Sequence, residues 1–176
     1  MLRISVPVAL LRTAPGVPVP ALLLSSLYGM RKNPMDGEYK LHNGIDVSLP
    51  QGTPVVALAP GVVRRVTPLS DPVNGGSVRI RHEGGYQTAY VHLSGVFVAE
   101  GQQVAGGQPI GLSGGEPGLP GSGRSTGPHL HLIVYRPTGD GSIEAVDPLD
   151  AVDWASMGVE VYLRTSKDPL QFERLR

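Results

Sequence analysis

Four of the five histidines in this sequence stand in three short motifs: His42 with Asp46 in HNGID, His92 in YVHLS, and His129 with His131 in GPHLH. Imidazole nitrogens and carboxylate oxygens are donors for a divalent metal, and a catalytic site with three protein ligands keeps its fourth position for water. On such an ion the pKa of water falls from about 15.7 to roughly 7, so hydroxide becomes available near neutral pH. The chemistry these residues can do together is metal-assisted hydrolysis, and the chain reads as an enzyme.

The spacing says how such a site is built. In an extended HLHLI segment His129 and His131 share one face, while Leu130 and Leu132 point the other way into a core. His42 and Asp46 are four residues apart, an even interval that keeps both on one side of an extended segment, and Gly44 between them allows close backbone approach. In YQTAYVHL (86–93) period two puts Tyr86, Thr88, Tyr90 and His92 on one face. The fifth histidine, His82, ends SVRIRH without a metal-type neighbour and is read as an ordinary hydrogen-bonded or exposed residue. A single His-x-His is weak evidence of a metal, but three motifs at strand ends beside glycine-rich turns converge on one.

The elements that must hold these residues are strands. Twenty-four glycines and seventeen prolines are spread through 176 residues, and breakers between short Val/Ile/Leu/Tyr runs favour many short strands over long helices. GTPVVALAPGVVRRV (52–66) reads as two strands around the Ala59-Pro60-Gly61 turn. SVRIRH (77–82), the Glu83-Gly84-Gly85 turn and YQTAYVHL form a hairpin, PHLHLIVYR (128–136) is a strand, and VEVYLRT (159–165) is another. The segment GGEPGLPGSGRSTG (114–127) is a long surface loop, placed just before His129 as a candidate cleft wall. The fold class expected is all-β, mainly antiparallel, with only short helices or turns.

Composition bounds the function. With 40% hydrophobic residues the length suits one domain with extensions. Fifteen basic and fifteen acidic residues cancel, so no whole-chain field favours nucleic acid or an anionic membrane. Cysteine is absent, which removes disulfides, thiolate nucleophiles and Cys-based metal sites. No run of ~18 apolar residues exists to span a membrane. The apolar start, MLRISVPVALLRTAPGVPVPALLLSS, is interrupted by Arg12 and by prolines at 7, 15, 18 and 20, and is read as lacking a standard export signal. There is no Gly-x-Ser-x-Gly elbow, phosphate-binding Gly-rich loop or His-Glu-x-x-His helix.

Taken in order, SSLYGMRKNPMDGEYKLHNGIDVSLPQGTPVVALAPGVV, VRIRHEGGYQTAYVHLS, GQQVAGGQPIGLSG, SGRSTGPHLHLIVYR and VDPL resemble the lysostaphin-type zinc metallopeptidase family. The resemblance covers roughly residues 26–150, leaving an N-terminal arm (1–25) and a C-terminal extension (151–176). It implies a compact antiparallel fold with an open groove, one Zn²⁺ ion, and hydrolysis of peptide cross-links in bacterial peptidoglycan, at the cell wall or in the periplasm. Carried over residue by residue, it implies that His42, Asp46 and His131 hold the metal and that His92 and His129 line the attacking water and the scissile carbonyl, either serving as base. Arg31 and Tyr28 fall where the family places groove residues. The extra EPGLPG lengthens the loop before the Ser-Thr-Gly-Pro segment and bears on groove width.

Other readings follow from other features. A catalytically silent peptidoglycan-binding or regulatory relative would keep the fold without the constellation, whereas all five residues are present. A bacteriophage protein, virion-associated or released at lysis, accommodates the missing export signal, and a structural virion component would use residues 1–25 and 151–176 to dock onto virion or tail proteins. The pair GTPVVALAPGVV and EGQQVAGGQPIG is like the hairpins of biotinyl or lipoyl carriers, but Lys32, Lys40 and Lys167 all lie outside the stretch between them. The bond cleaved stays open between glycine-rich bridges and D-Ala linkages, with a D-Ala cross-link the expectation.

Overall fold

Alternating apolar residues between glycine and proline breakers become short strands throughout the described residues. The structure, a computed structural model, describes residues 21–155, 158–166 and 171–175. Its strands are β1 (Ala21–Ser26), β2 (Gly29–Lys32), β3 (Tyr39–His42), β4 (Ile45–Val47), β5 (Pro54–Val56), β6 (Gly61–Thr67), β7 (Gly76–Arg81), β8 (Gln87–Val96), β9 (Gln103–Val104), β10 (Pro109–Ser113), β11 (Leu130–Pro137), β12 (Ile143–Val146), β13 (Glu160–Arg164) and β14 (Phe172–Arg174). Among the described residues the one α-helix, α1 (Pro148–Ala151), starts where Asp147 accepts a hydrogen bond from the Leu149 amide and Pro148 pre-sets the first turn. The all-β expectation holds. Among the described residues no helix is long and apolar enough to cross a membrane.

Twelve strands form one sheet in the order β14-β13-β1-β4-β11-β8-β7-β6-β9, with β10 bridging β8 to β5 and β12 on β11, while β2 and β3 make a separate hairpin. All pairings are antiparallel except β1 with β13. Side chains of one face, among them Leu22, Leu24, Ile45, Val78, Ile80, Leu130 and Leu132, make the main core beneath Leu58, Ile110 and Trp154. Fully burying each large aliphatic side chain contributes about 1.5–3 kcal/mol. Ala89, Val91 and Ile133 pack on the other face, which is the face that carries the site.

Strand β1 crosses the boundary drawn at residue 25. Leu22 and Leu24 are fully buried and pair in register with Val161 and Leu163. The last residues of the apolar run near the chain start are a buried strand. Residues 1–20, on which the reading of export rests, lie outside the described residues.

His82 takes the structural role expected of it. Its Nδ1 donates to the Pro60 carbonyl at 2.8 Å and its Nε2 lies 2.7 Å from Thr88 Oγ1, which is 3.1 Å from the Tyr90 hydroxyl; that hydroxyl accepts from the Leu58 amide at 2.8 Å. Burial lowers the His82 pKa against the pull of the Pro60 carbonyl. Burial also pushes the Tyr90 hydroxyl up to about 12, against smaller opposing effects of Thr88 and Leu58.

Because folded Tyr90 keeps its proton where the unfolded chain loses it, its contribution to stability is full below pH ~10 and is lost as pH rises towards 12. We expect the wild type to lose roughly 2–3 kcal/mol more than Tyr90→Phe over that window, measured by denaturant unfolding at each pH. Equal losses would disprove the assignment.

Candidate metal centre and cleft

The centre is built on strand register. β4 and β11 run antiparallel with Asp46 directly opposite His131, so a carboxylate and an imidazole leave the same face side by side. His42 enters from the end of β3, and the Asn43-Gly44 link turns the chain into β4. A Cβ on Gly44 would lie 2.3 Å from the Leu132 carbonyl oxygen and 2.9 Å from His131 Cε1. Only glycine lets the backbone come this close.

Three atoms converge: His131 Nδ1 is 2.9 Å from Asp46 Oδ1, and His42 Nε2 is 3.1 Å from both. The backs of the rings fix what these atoms are. His42 Nδ1 lies 2.6 Å from the Leu27 carbonyl, which can only accept, so Nδ1 carries the proton and Nε2 presents a lone pair in the neutral ring. His131 Nε2 is 3.2 Å from Asn43 Oδ1, which turns its Nδ1 inward in the same sense. Burial lowers the His131 pKa despite the neighbouring carboxylate.

Two nitrogen lone pairs and an anionic oxygen about 3 Å apart repel one another unless something positive lies between them. A proton satisfies one contact at most. A tetrahedral cation with bonds of ~2.0–2.1 Å separates its ligand atoms by roughly 3.3 Å, close to the separations found. His42, Asp46 and His131 are the group among the described residues whose donor atoms could hold a metal ion.

His129 and His92 stand beside this triad. His129 Nδ1 donates to the Gly127 carbonyl at 2.8 Å and touches Ser125 Oγ at 3.2 Å, leaving Nε2 towards the centre, 3.5 Å from Asp46 Oδ1. The His92 ring lies 4.9 Å from that of His129 and 6.1 Å from that of His131. Period two fails here. Thr88 and Tyr90 are buried in the core side of β8 as expected, but His92 adopts φ +63°. Opposite it the register skips, Gly76 facing Leu93 and Ser77 facing Val91, so His92 is the extra residue of a bulge that re-aims its side chain from core to cleft. Such a backbone costs about 1–3 kcal/mol. Burial, then repulsion from His129 and His131, brings the His92 pKa to about 4, and its buried Nδ1 finds no hydrogen-bond partner.

The cleft above the triad holds about 260 Å³. Arg31 reaches in from β2, its Nη2 3.5 Å from Asp46 Oδ2, so the two carboxylate oxygens are divided between imidazoles and a guanidinium. Arg124, Ser125 and Thr126 form one wall, as expected of the 114–127 loop; none of the inserted residues 116–121 lines it. That insertion instead hydrogen-bonds back to Leu69 through the Gly121 amide. Tyr28 does not join the cleft: its hydroxyl donates to the Ala145 carbonyl at 3.2 Å and it lines a separate recess with Tyr86 and Asp150. The Leu27 carbonyl, Asn43 and Ser125 were not foreseen, since their partners are set by folding rather than by any local pattern.

A sheet and a hairpin together send two imidazoles and a carboxylate to one point at the floor of an open cleft, and comparison narrows the class of protein this defines. Residues 40–148 match Peptidase family M23; the match covers more than half of the chain, and the chain belongs to that family. A Vibrio cholerae relative, peptidoglycan DD-endopeptidase ShyA, is 45% identical over 106 residues, 59% of this chain and 23% of ShyA. A zinc-containing peptidase from Vibrio cholerae superposes with TM-score 0.57 at 35% identity, covering 70% of this chain and 35% of that one. The catalytic domain of lysostaphin from Staphylococcus simulans gives 0.59 at 30% identity, covering 72% and 89%. The chain spans about a quarter of the length of the curated relatives it matches.

Gly44→Ala is expected to destabilise the fold by about 2 kcal/mol or more, because the Leu132 backbone cannot yield without separating β4 from β11. Denaturant unfolding checks this; an unchanged midpoint would contradict the close approach described.

Proposed function

We propose that this protein is a zinc-dependent endopeptidase that hydrolyses peptide cross-links of bacterial peptidoglycan at the cell wall or in the periplasm. The carrying observation is the inward convergence of His42 Nε2, His131 Nδ1 and Asp46 Oδ1, with both rings held from behind by acceptors. These three residues hold the ion, in a domain whose sheet also takes in β1, β13 and β14. When bound, Zn²⁺ supplies Lewis acidity, polarising a carbonyl and lowering the pKa of water. Family membership and the name of ShyA support the substrate class, and the zinc-containing Vibrio peptidase supports the metal.

The remaining steps belong to the protein's own groups. His129 presents an unprotonated Nε2 to the cleft while Gly127 fixes its tautomer, which suits it to take a proton from the attacking water. His92, kept neutral by burial, can donate one hydrogen bond to the developing oxyanion. After attack, the proton gained by His129 is available for the departing amine.

Part of each terminal segment expected to dock on a virion is built into the sheet, Ala21 to Leu24 pairing with Glu160 to Leu163.

His131→Ala, His42→Ala and Asp46→Ala should lose both stoichiometric zinc and release of wall fragments. His129→Ala and His92→Ala should keep the zinc and lose about 10²- to 10⁴-fold in turnover, as read by metal analysis and mass spectrometry of digested peptidoglycan. Full turnover in the latter pair would refute their roles. Asn43→Ala, which frees the back of His131, should weaken zinc about 10- to 100-fold in competition with a chelator.

A further inference from the structure

Past Arg31 and His129 the cleft opens into a second recess of about 370 Å³, which shares Arg31, Pro34, Asp46, Thr126 and His129 with the first. Its far wall comes from outside the family-matched stretch of 40–148: Ser25 and Ser26 from β1 and Arg164 from β13. Arg31 also precedes that stretch. Asp46 is the single acidic residue lining the recess, and its oxygens are already engaged by the imidazoles and Arg31.

Both guanidinium groups are only partly used. Arg164 donates from Nη2 to Ser48 Oγ at 3.0 Å and lies over the Phe172 ring, 5.7 Å from its centre; Arg31 meets Asp46 Oδ2 through Nη2. The Nε of each is enclosed by protein without a partner, so a ligand in the recess meets each guanidinium through its Nη nitrogens. A guanidinium is a rigid fork of donors matched to the two oxygens of a carboxylate. Two such forks line one end of a polar recess, one of them held in place by a hydroxyl and an aromatic ring.

We infer that this recess is a carboxylate-binding subsite, in which Arg164, with Arg31, takes a free carboxylate on the substrate residue next to the scissile bond. The inference rests on the peptidase reading and names its substrate class. The backbone carboxyl of the residue on the acyl side is the carbonyl under attack, so a free α-carboxylate beside the bond belongs to the residue that supplies the amine. That residue is either a chain end or a diamino acid linked through its side-chain amine. A bridge of neutral glycines running on past the bond offers no such group. Arg164 is here a specificity-determining residue supplied by the C-terminal strands.

The test is equilibrium binding to the zinc-loaded full chain of a ketomethylene analogue of acetyl-D-alanyl-D-alanine, which cannot be cleaved, ending in a carboxylate or in a carboxamide. The wild type should bind the acid at least about tenfold more tightly. Arg164→Gln should bring the acid down to the level of the amide while leaving amide affinity within about twofold, and Arg164→Lys should retain part of the preference. Equal binding of acid and amide by the wild type, or full preference in Arg164→Gln, overturns the subsite. Preference for the acid without any release of wall fragments would uphold the subsite and refute the peptidase reading; cleavage without preference would refute the subsite alone.

Discussion

Forcing an ionised carboxylate and two imidazole lone pairs to within about 3 Å of one another is the constraint on which this structure turns. Left alone, like partial charges at that distance repel, and the cost grows as water is excluded. The fold supplies the opposing rigidity. The β4–β11 ladder sets Asp46 against His131, glycine at 44 permits the approach of the Leu132 backbone, and acceptors behind each ring keep its inward nitrogen unprotonated. Pre-organised repulsion of this kind is relieved by a cation placed between the three atoms.

The residues that flank the triad are placed by departures from regular strand geometry. His129 stands just ahead of β11, fixed through Ser125 and Gly127, whereas His92 reaches the cleft by a left-handed backbone at a bulge. The cost of that conformation is met by the surrounding ladder of β7, β8 and β10. Placing both imidazoles on irregular backbone beside a rigid sheet lets their tautomers and orientations be set separately from those of the metal-type ligands.

The outer strands enlarge the site beyond the family-matched stretch. β1 and β13 pair in parallel and extend the sheet past β4, which carries Ser25, Ser26 and Arg164 to the far side of Arg31. Sheet extension thereby adds one guanidinium, that of Arg164, to a cleft already lined by Arg31 of the β2–β3 hairpin.

By itself the sequence determined the type of chemistry and the type of element: His and Asp at even spacings and the paired leucines of HLHLI follow from the two-residue period of a strand, and frequent Gly and Pro leave little room for helices. It also marked His82 as structural, since that residue lacked a metal-type neighbour. Tertiary structure alone decided the rest. Period two wrongly put His92 beside Tyr90, because a bulge depends on the partner strand's register. The apolar residues of β1 became core only once β13 and β4 flanked them. Arg31, Asn43 and Arg164 acquired their contacts through chain closure over distances that local patterning does not encode, and the Leu27 carbonyl has no side-chain signature at all. Periodicity is a local property of the chain, whereas convergence on a point is a property of register, and register is fixed only when the sheet is assembled.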